Sequence, residues 1–294
     1  MEKILDNLAK INDWIDKAPD PATFQTNDDF MGFIVELMNS CLYVLKVSAA
    51  LAPSSSIAHN GFSKFTAIVV GHLVRLTKLY EGFLIHVSKG QSELALIFFR
   101  LIYETSVRMN YLIKSKSKRK TLHSFILTSY RPEKEILEDL YEKAAKRPLI
   151  NIEKRMIRKI EARMRKDRIS TQELMNNKIW NLDGKNAREL LKAVGNEKQY
   201  AYAFANGSHF VHGDWFEIDI YHADNKGRFY TPKLNFTTPD PRVACPINTL
   251  CLDTLIEYLR WRKSDPDKVV LPIVQRLLEL NRLVDSAHES TLGA

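Results

Sequence analysis

Arg100, Glu104 and Arg108 recur at intervals of four, and Tyr111 follows three residues beyond the last of them. In a helix that spacing puts all four side chains on one face. The surrounding residues Leu94, Ile97, Phe98, Leu101, Ile102 and Leu112 make the same helix apolar nearly all round, the pattern of a helix at the centre of a bundle. Charges on such a helix cannot point at hydrocarbon without a heavy desolvation cost, so they must pair, line a cleft or meet a partner. Two readings follow. The stripe is either an Arg-Glu-Arg ladder locking the helix to its neighbours, or a site in which Glu104 orients one or both arginines toward an anion.

A second chemistry-bearing stretch runs from Tyr200 to Gly213 and holds Ser208, His209 and His212. Ser208 and His212 are four apart and the two histidines three apart, so each pair shares a face of a helix. The macrodipole favours the cationic form of a histidine near a helix C-terminus, which suits His212 as a general acid or base or as a holder of phosphate. Its alternative is a buried histidine bonded to Ser208 or to a carbonyl. His209, His212 and Asp214 are metal-ligand types, but no fourth ligand is defined, so no metal site is expected. The chain has no G-x-S-x-G elbow, P-loop, G-x-G-x-x-G turn, kinase signature or H-E-x-x-H helix. Nucleotide hydrolysis and hydride transfer are therefore not expected, and no cofactor is called for.

The third feature is charge. The chain of 294 residues carries a formal +8, and residues 114–168 hold eighteen Lys and Arg against eight Asp and Glu. That local excess of +10 leaves −2 for everything else. Clustered cations gain from counterion release, so a basic segment on a near-neutral body reads as an arm for RNA or another polyanion. Lys154, Arg155, Arg158, Lys159, Arg165 and Lys166 are its candidate contacts. A solvated helix face is the other reading of the same run.

The elements that must position these groups are mostly helical. With 45% hydrophobic residues the chain can bury a core, and eleven Gly and eleven Pro are few for a loop-rich β protein. The expected architecture is a mainly α, multi-helix bundle, one domain over 1–294, with a basic helical arm at 114–168 and a small β-hairpin at 216–233. Apolar periodicity predicts helices over 1–17, from an Asp28 or Asp29 cap to before Pro53, over 62–87, and over 92–113. Ser54, Ser55 and Ser56 read as a loop. In the arm, Leu149, Ile152, Met156, Ile160 and Met164 form the expected apolar stripe, with helix breaks at Pro132 and Pro148. Helices are expected over 171–180, 186–194, 197–212 (closed by Gly213), 242–262 and 265–282, followed by a frayed tail from Ser286. Phe216, Ile218 and Ile220, then Phe229 and Tyr230, flank Asp224–Gly227 as the hairpin. His72 and His86 read as edge-of-core residues, and His59, His123, His222 and His288 fall in expected loops, edges or the tail.

Cys41, Cys245 and Cys251 are odd in number and lack C-x-x-C spacing, which argues against a disulfide framework. Residues 1–17 show no apolar core with a cleavage site, and charges such as Glu36, Arg75 and Arg100 interrupt the apolar runs. A cytoplasmic protein with no membrane partner is the expectation.

Two motifs carry a family resemblance. Arg100-Leu-Ile-Tyr103-Glu104-Thr-Ser-Val-Arg108-Met-Asn-Tyr111-Leu112, together with Ser208-His-Phe-Val211-His212, resembles an uncharacterised bacterial family of unknown function over about residues 60–215. More distantly the chain resembles the HEPN superfamily of helical bundles, many of which are metal-independent ribonucleases or inactive relatives. That resemblance implies a histidine and an arginine working on the 2′-hydroxyl and phosphate, often across a dimer. His212 matches the histidine, whereas positions 205, 206 and 207 are Ala, Asn and Gly, so the cation would come from Arg100 or Arg108. The resulting expectation is an RNA- or polyanion-binding protein with a metal-independent phosphodiester-cleaving cleft. In it His212 is the general acid or base and the arginines, held by Glu104, stabilise phosphorane charge. The rival is a non-catalytic homodimeric module with a structural ladder and an acidic protein partner.

Overall fold

A computed structural model describes residues 2–51, 61–198, 200, 206–263 and 267–292. The expected Ser54–Ser56 loop, His59 and the 201–205 part of the helix expected over 197–212 lie outside the described residues. The described chain is mainly α. In order it forms α1 (Glu2–Asp16), α2 (Asn27–Ala50), α3 (Lys64–Ser88), α4 (Ser92–Lys114), α5 (Lys118–Thr128), α6 (Arg131–Lys146), α7 (Asn151–Asp167), α8 (Thr171–Asn176) and α9 (Ala187–Val194). There follow α10 (His209–His212), α11 (Trp215–Tyr221), strands β1 (Ala223–Asn225) and β2 (Tyr230–Pro232), α12 (Pro241–Arg262) and α13 (Asp267–Leu292).

The chain divides into two compact units, one of Met1–Lys114 with Leu191–Ala294 and the other of Ser115–Leu190. In the first, α2 packs on α3, α12 and α13, and α4 packs on α3 and α12. Thr26 rather than Asp28 or Asp29 caps α2. Its hydroxyl accepts from Asp29 N, and the Asp29 carboxylate accepts from Thr26 N at 2.9 Å, a reciprocal capping box. α2 is long and apolar enough to cross a membrane, but most of its apolar stretch is buried in the bundle, with Ile34, Leu37, Met38 and Leu45 fully enclosed.

A polar chain runs through this core. Tyr80 donates its hydroxyl to Asn248 Oδ1 at 2.6 Å, Asn248 Nδ2 donates to Asn281 Oδ1 at 2.9 Å, and Asn281 Nδ2 reaches Cys245 O and Thr249 Oγ1. Each amide is therefore satisfied where water cannot reach, and α3, α12 and α13 are held in one register. All three cysteines are buried and reduced near Tyr80, and burial pushes the Cys41 thiol up to about 12.

Two expectations for the C-terminal half are corrected. The tail from Ser286 does not fray in the described part, because α13 continues to Leu292; His288 is buried there with its ring edge-on to Phe30 at 5.1 Å. Residues 216–221, expected as the first hairpin strand, are helical. The Asp214 carboxylate caps Phe216 N and Glu217 N at the start of α11, and the hairpin itself is only Ala223–Asn225 against Tyr230–Pro232. The break expected at Pro132 is present: α5 ends at Thr128 and α6 starts at Arg131, with Pro132 in its first turn, where its missing N–H costs nothing.

The unit of Ser115–Leu190 has its own core of Tyr130, Leu137, Met164, Ile169 and Leu174, flanked by Ile157, Ile160 and Trp180. Tyr130 donates to the Asp167 carboxylate at 2.6 Å, and Arg163 lies over its ring. At the start of α7, Glu153 accepts two bonds from Arg147 (2.9 and 2.6 Å) and one from Ile150 N. These bonds, Arg147 first, hold its carboxyl down to about 2. The buried face of α7 is thus Glu153, Ile157, Ile160 and Met164. The expected stripe is corrected by a rotation of the helix: Ile152 is 53% exposed and Met156 is exposed as well.

Candidate functional site

α3 and α4 form an antiparallel pair, and their close approach explains what the stripe on α4 can reach. Gly82 of α3 lies under the Phe98 ring so tightly that a Cβ there would come within 2.6 Å of it, and His86 stacks on the same ring. Farther along, Arg75 Nε donates to Thr105 Oγ1 at 3.2 Å.

The stripe itself divides. Arg100 Nε donates to Glu104 Oε1 at 2.9 Å, with both side chains mostly sheltered, and Arg100 Nη1 donates to Ser208 Oγ. Ser208 is 108 residues away in sequence, so the two stretches singled out by spacing do meet. Gly207 makes that contact possible: a Cβ on it would stand 3.3 Å from both Phe99 Cδ1 and Arg100 Cβ. A short turn, Asn206–Ser208, therefore seats directly on α4. Arg108, one turn on, is exposed and has no ion pair among the described residues, and Tyr111 is half-buried beyond it. Arg100, Glu104 and Ser208 thus form one cluster that Arg108 does not share.

The histidines divide as well. His212, at the end of α10, is exposed, and no hydrogen bond to its ring is found among the described residues. Gly213 follows in the left-handed conformation with φ 62°, as its position after the helix predicts, and reverses the chain. The reversal brings Asp214 back to His209, whose Nδ1 lies 2.5 Å from Asp214 Oδ2. Hydrogen bonding from His209 holds the Asp214 carboxyl below the usual carboxylate range, with its bonds to Glu217 N and Phe216 N adding to the effect. A carboxylate accepts, so the proton of a neutral His209 sits on Nδ1 and Nε2 keeps its lone pair. Asp214 also caps α11, and Phe216 tilts against the His209 ring with centroids 4.7 Å apart. His222 is bonded similarly to the buried Glu217, at 2.6 Å.

A family model matches residues 66–229, more than half of the chain. The chain belongs to DUF5677, a family of unknown function. No curated protein and no solved structure matches it. The DUF5677 stretch begins in α3 and ends between the hairpin strands, so it holds Arg100, Glu104, Arg108, Ser208, His209, His212 and Asp214, while α12 and α13 lie outside it. It also contains all of α5 to α9.

In this DUF5677 chain the third group of candidates lies in the second unit. Lys154, Arg155, Arg158, Lys159, Arg165 and Lys166 are all exposed on α7. At 100° per residue they cover an arc of about 140° opposite the buried face, over a length of about 18 Å. Arg165 lies 3.9 Å from Glu161 and Arg158 Nε reaches its own helix at Lys154 O. Lys154, Arg155, Lys159 and Lys166 have no ion pair among the described residues.

Sequence reasoning missed two features. One is the pairing of His209, because the residue that selects it is brought round by a turn and not by helical spacing. The other is a set of exposed apolar side chains between 211 and 236, among them Trp215, Phe229 and Leu234, the last 90% exposed. Alternation hid them, since it read as one strand face turned inward.

Proposed function

We propose that this protein binds RNA or another polyanion through the exposed face of α7. One observation carries the reading: four cations of that face, Lys154, Arg155, Lys159 and Lys166, are left without a carboxylate in a unit where many neighbours are paired. The unit of residues 115–190 has twenty Lys and Arg against eleven Asp and Glu, so it carries +9 and the remainder of the chain −1. Unpaired, solvated cations in a row cost little in the free protein and release counterions when phosphates replace them.

A second reading, metal-independent cleavage of a phosphodiester, is favoured by the His209–Asp214 pair beside Ser208 and Arg100. Asp214 fixes the tautomer that leaves His209 Nε2 able to take a proton, which gives His209 a stronger case than His212 as general base. Arg100, held by Glu104 and Ser208, serves in this reading as a positioning residue for the turn.

The test is an RNA cleavage assay in EDTA, on structured and unstructured RNA, with wild type, His209→Ala and His212→Ala, alongside a gel shift. Retention without cleavage is the result expected of the binding reading. Cleavage lost in His209→Ala supports the second reading, and cleavage lost only in His212→Ala moves the base to that residue. Neither cleavage nor retention removes both and directs attention to a homodimer or an acidic protein partner.

A further inference from the structure

Between Trp215 and Pro232 the chain is folded inside out. Glu217 is the only buried residue of that stretch, and its carboxylate is spent on His222 at 2.6 Å. The apolar side chains point the other way: Trp215 is 59% exposed, Phe229 75%, and Phe216 and Tyr230 about half. Leu234 and Phe236 continue the exposed run beyond β2. Trp215 sets its ring edge-on to Tyr230 with centroids 5.4 Å apart, so α11 and the hairpin share one apolar surface. Past it the chain returns to the bundle, where Ser92 N donates to Thr237 O at 3.1 Å and Thr237 N donates to Glu93 Oε1 at 2.8 Å. A two-stranded ribbon on a two-turn helix buries too little to hold itself in water, and its outward aromatics gain free energy only when something covers them.

Area and charge together say what covers them. At about 200 Å² per large side chain, those six leave about 700 Å² of largely apolar surface open. The largest apolar patch of an ordinary monomer is about 300 to 600 Å². A stable pair of proteins removes about 800 Å² from each partner, somewhat over half of it apolar. The surface is therefore too large for a lone chain and large enough for one interface.

Asp219, Asp224, Lys226 and Arg228 have no ion pair among the described residues. At 100° per residue Asp219 stands in the middle of the outward arc of α11, between Trp215 and Phe216. Two acids and two cations sum to zero, which offers a phosphate backbone no net attraction. On a lipid surface Asp219 would have to enter hydrocarbon, at a cost of several kcal/mol for other charges of that kind, about 2.5 or more at depth. A two-fold axis suits the set, because it places each residue of one copy opposite a different residue of the other, twice over. The acids of each copy then meet the cations of its mate.

We propose that the face made by α11 and the hairpin is the contact between two copies of this chain related by a two-fold axis. Trp215, Phe229 and Leu234 form its apolar centre, and Asp219 and Asp224 pair with Lys226 and Arg228 across it. None of these residues lies on α7, so this pairing and polyanion binding there stand or fall separately.

Sedimentation velocity of the full chain over a wide range of concentration tests the proposal. A reversible monomer–dimer equilibrium is expected. F229S/L234S changes two exposed side chains, and it should weaken pairing about a hundredfold or more while circular dichroism keeps its helix content. D219K/D224K should weaken pairing about tenfold or more, and adding K226E/R228E to it should restore pairing, because acids and cations have then exchanged places in both copies. A chain that is monomeric at every concentration overturns the proposal, as does a dimer that F229S/L234S leaves intact or a fourfold exchange that fails to restore pairing. For a monomer, flotation with phosphatidylcholine vesicles that F229S/L234S abolishes gives the face to a membrane. Binding of a single-stranded RNA oligomer that the same variant abolishes gives it to stacked bases, and either result also overturns the proposal.

Discussion

Reversing Arg155, Arg158 and Lys159 to glutamate is the perturbation that bears most directly on the α7 face. All three are exposed, and of the three only Arg158 has a hydrogen bond among the described residues, to the carbonyl of Lys154 on its own helix. The unit's core of Tyr130, Leu137, Met164, Ile169 and Leu174 is untouched, so stability should move by no more than about 0.5 kcal/mol. If all six cations of the arc meet phosphates, the slope of log affinity against log salt is about −4 on a single strand and about −5 on a duplex. A slope of −5 means a loss of about a thousandfold between roughly 50 and 200 mM salt. Leaving three of the six brings the duplex slope to about −3, and the same rise in salt then costs only about thirtyfold to sixtyfold. Fluorescence anisotropy of labelled RNA across that salt range reads both quantities, and a thermal melt checks the fold. An unchanged slope, with affinity unchanged, would show that α7 is only a solvated face and would refute the reasoning.

Three further outcomes are expected. Asn248→Ala strips Tyr80 of its acceptor and Asn281 of its donor, and two orphaned buried groups cost about 2 to 6 kcal/mol in urea unfolding; a loss below about 1 kcal/mol would mean that the polar chain is not holding the helices. The Asp214 carboxyl titrates below its ordinary value in the folded chain, so its stabilising contribution is present above the unfolded carboxylate value and disappears as pH falls through the lowered one. His209→Ala should return the midpoint toward the ordinary value in a carboxyl-detected NMR titration, and an unmoved midpoint counts against the pair. Cys41, Cys245 and Cys251 are buried with their thiols pushed up, so a thiol reagent at mildly alkaline pH should label the chain only as it unfolds, and rapid labelling of the native protein would contradict their burial.

Local spacing determined a good deal about this protein. The mainly helical class, the extents of α3 and α4 within a residue or two, and the shared face of Arg100, Glu104 and Arg108 all follow from periodicity and from breakers such as Gly90. The resemblance to a family of unknown function was carried by motifs within single elements. Gly213 could be placed after a helix because only a residue tolerant of positive φ ends one that way. Which charges meet was a different matter. Glu104 lies between two arginines at equal spacing, and only the seating of Gly207 and Ser208 on α4 makes Arg100 the paired one and leaves Arg108 open. His209 and His212 are equivalent by helical spacing, and the turn through Gly213 selects His209 by returning Asp214 to it. The basic helix was legible as amphipathic, yet its inward face was set by Tyr130, Leu137 and the Arg147–Glu153 bond, which turned Ile152 and Met156 outward. His288 was an ordinary tail residue until Phe30, far away in sequence, gave its ring a surface to pack on. Periodicity is a property of a few consecutive turns and survives in the sequence, whereas the choice among equivalent partners is made by long-range packing, whose free energy no single segment contains.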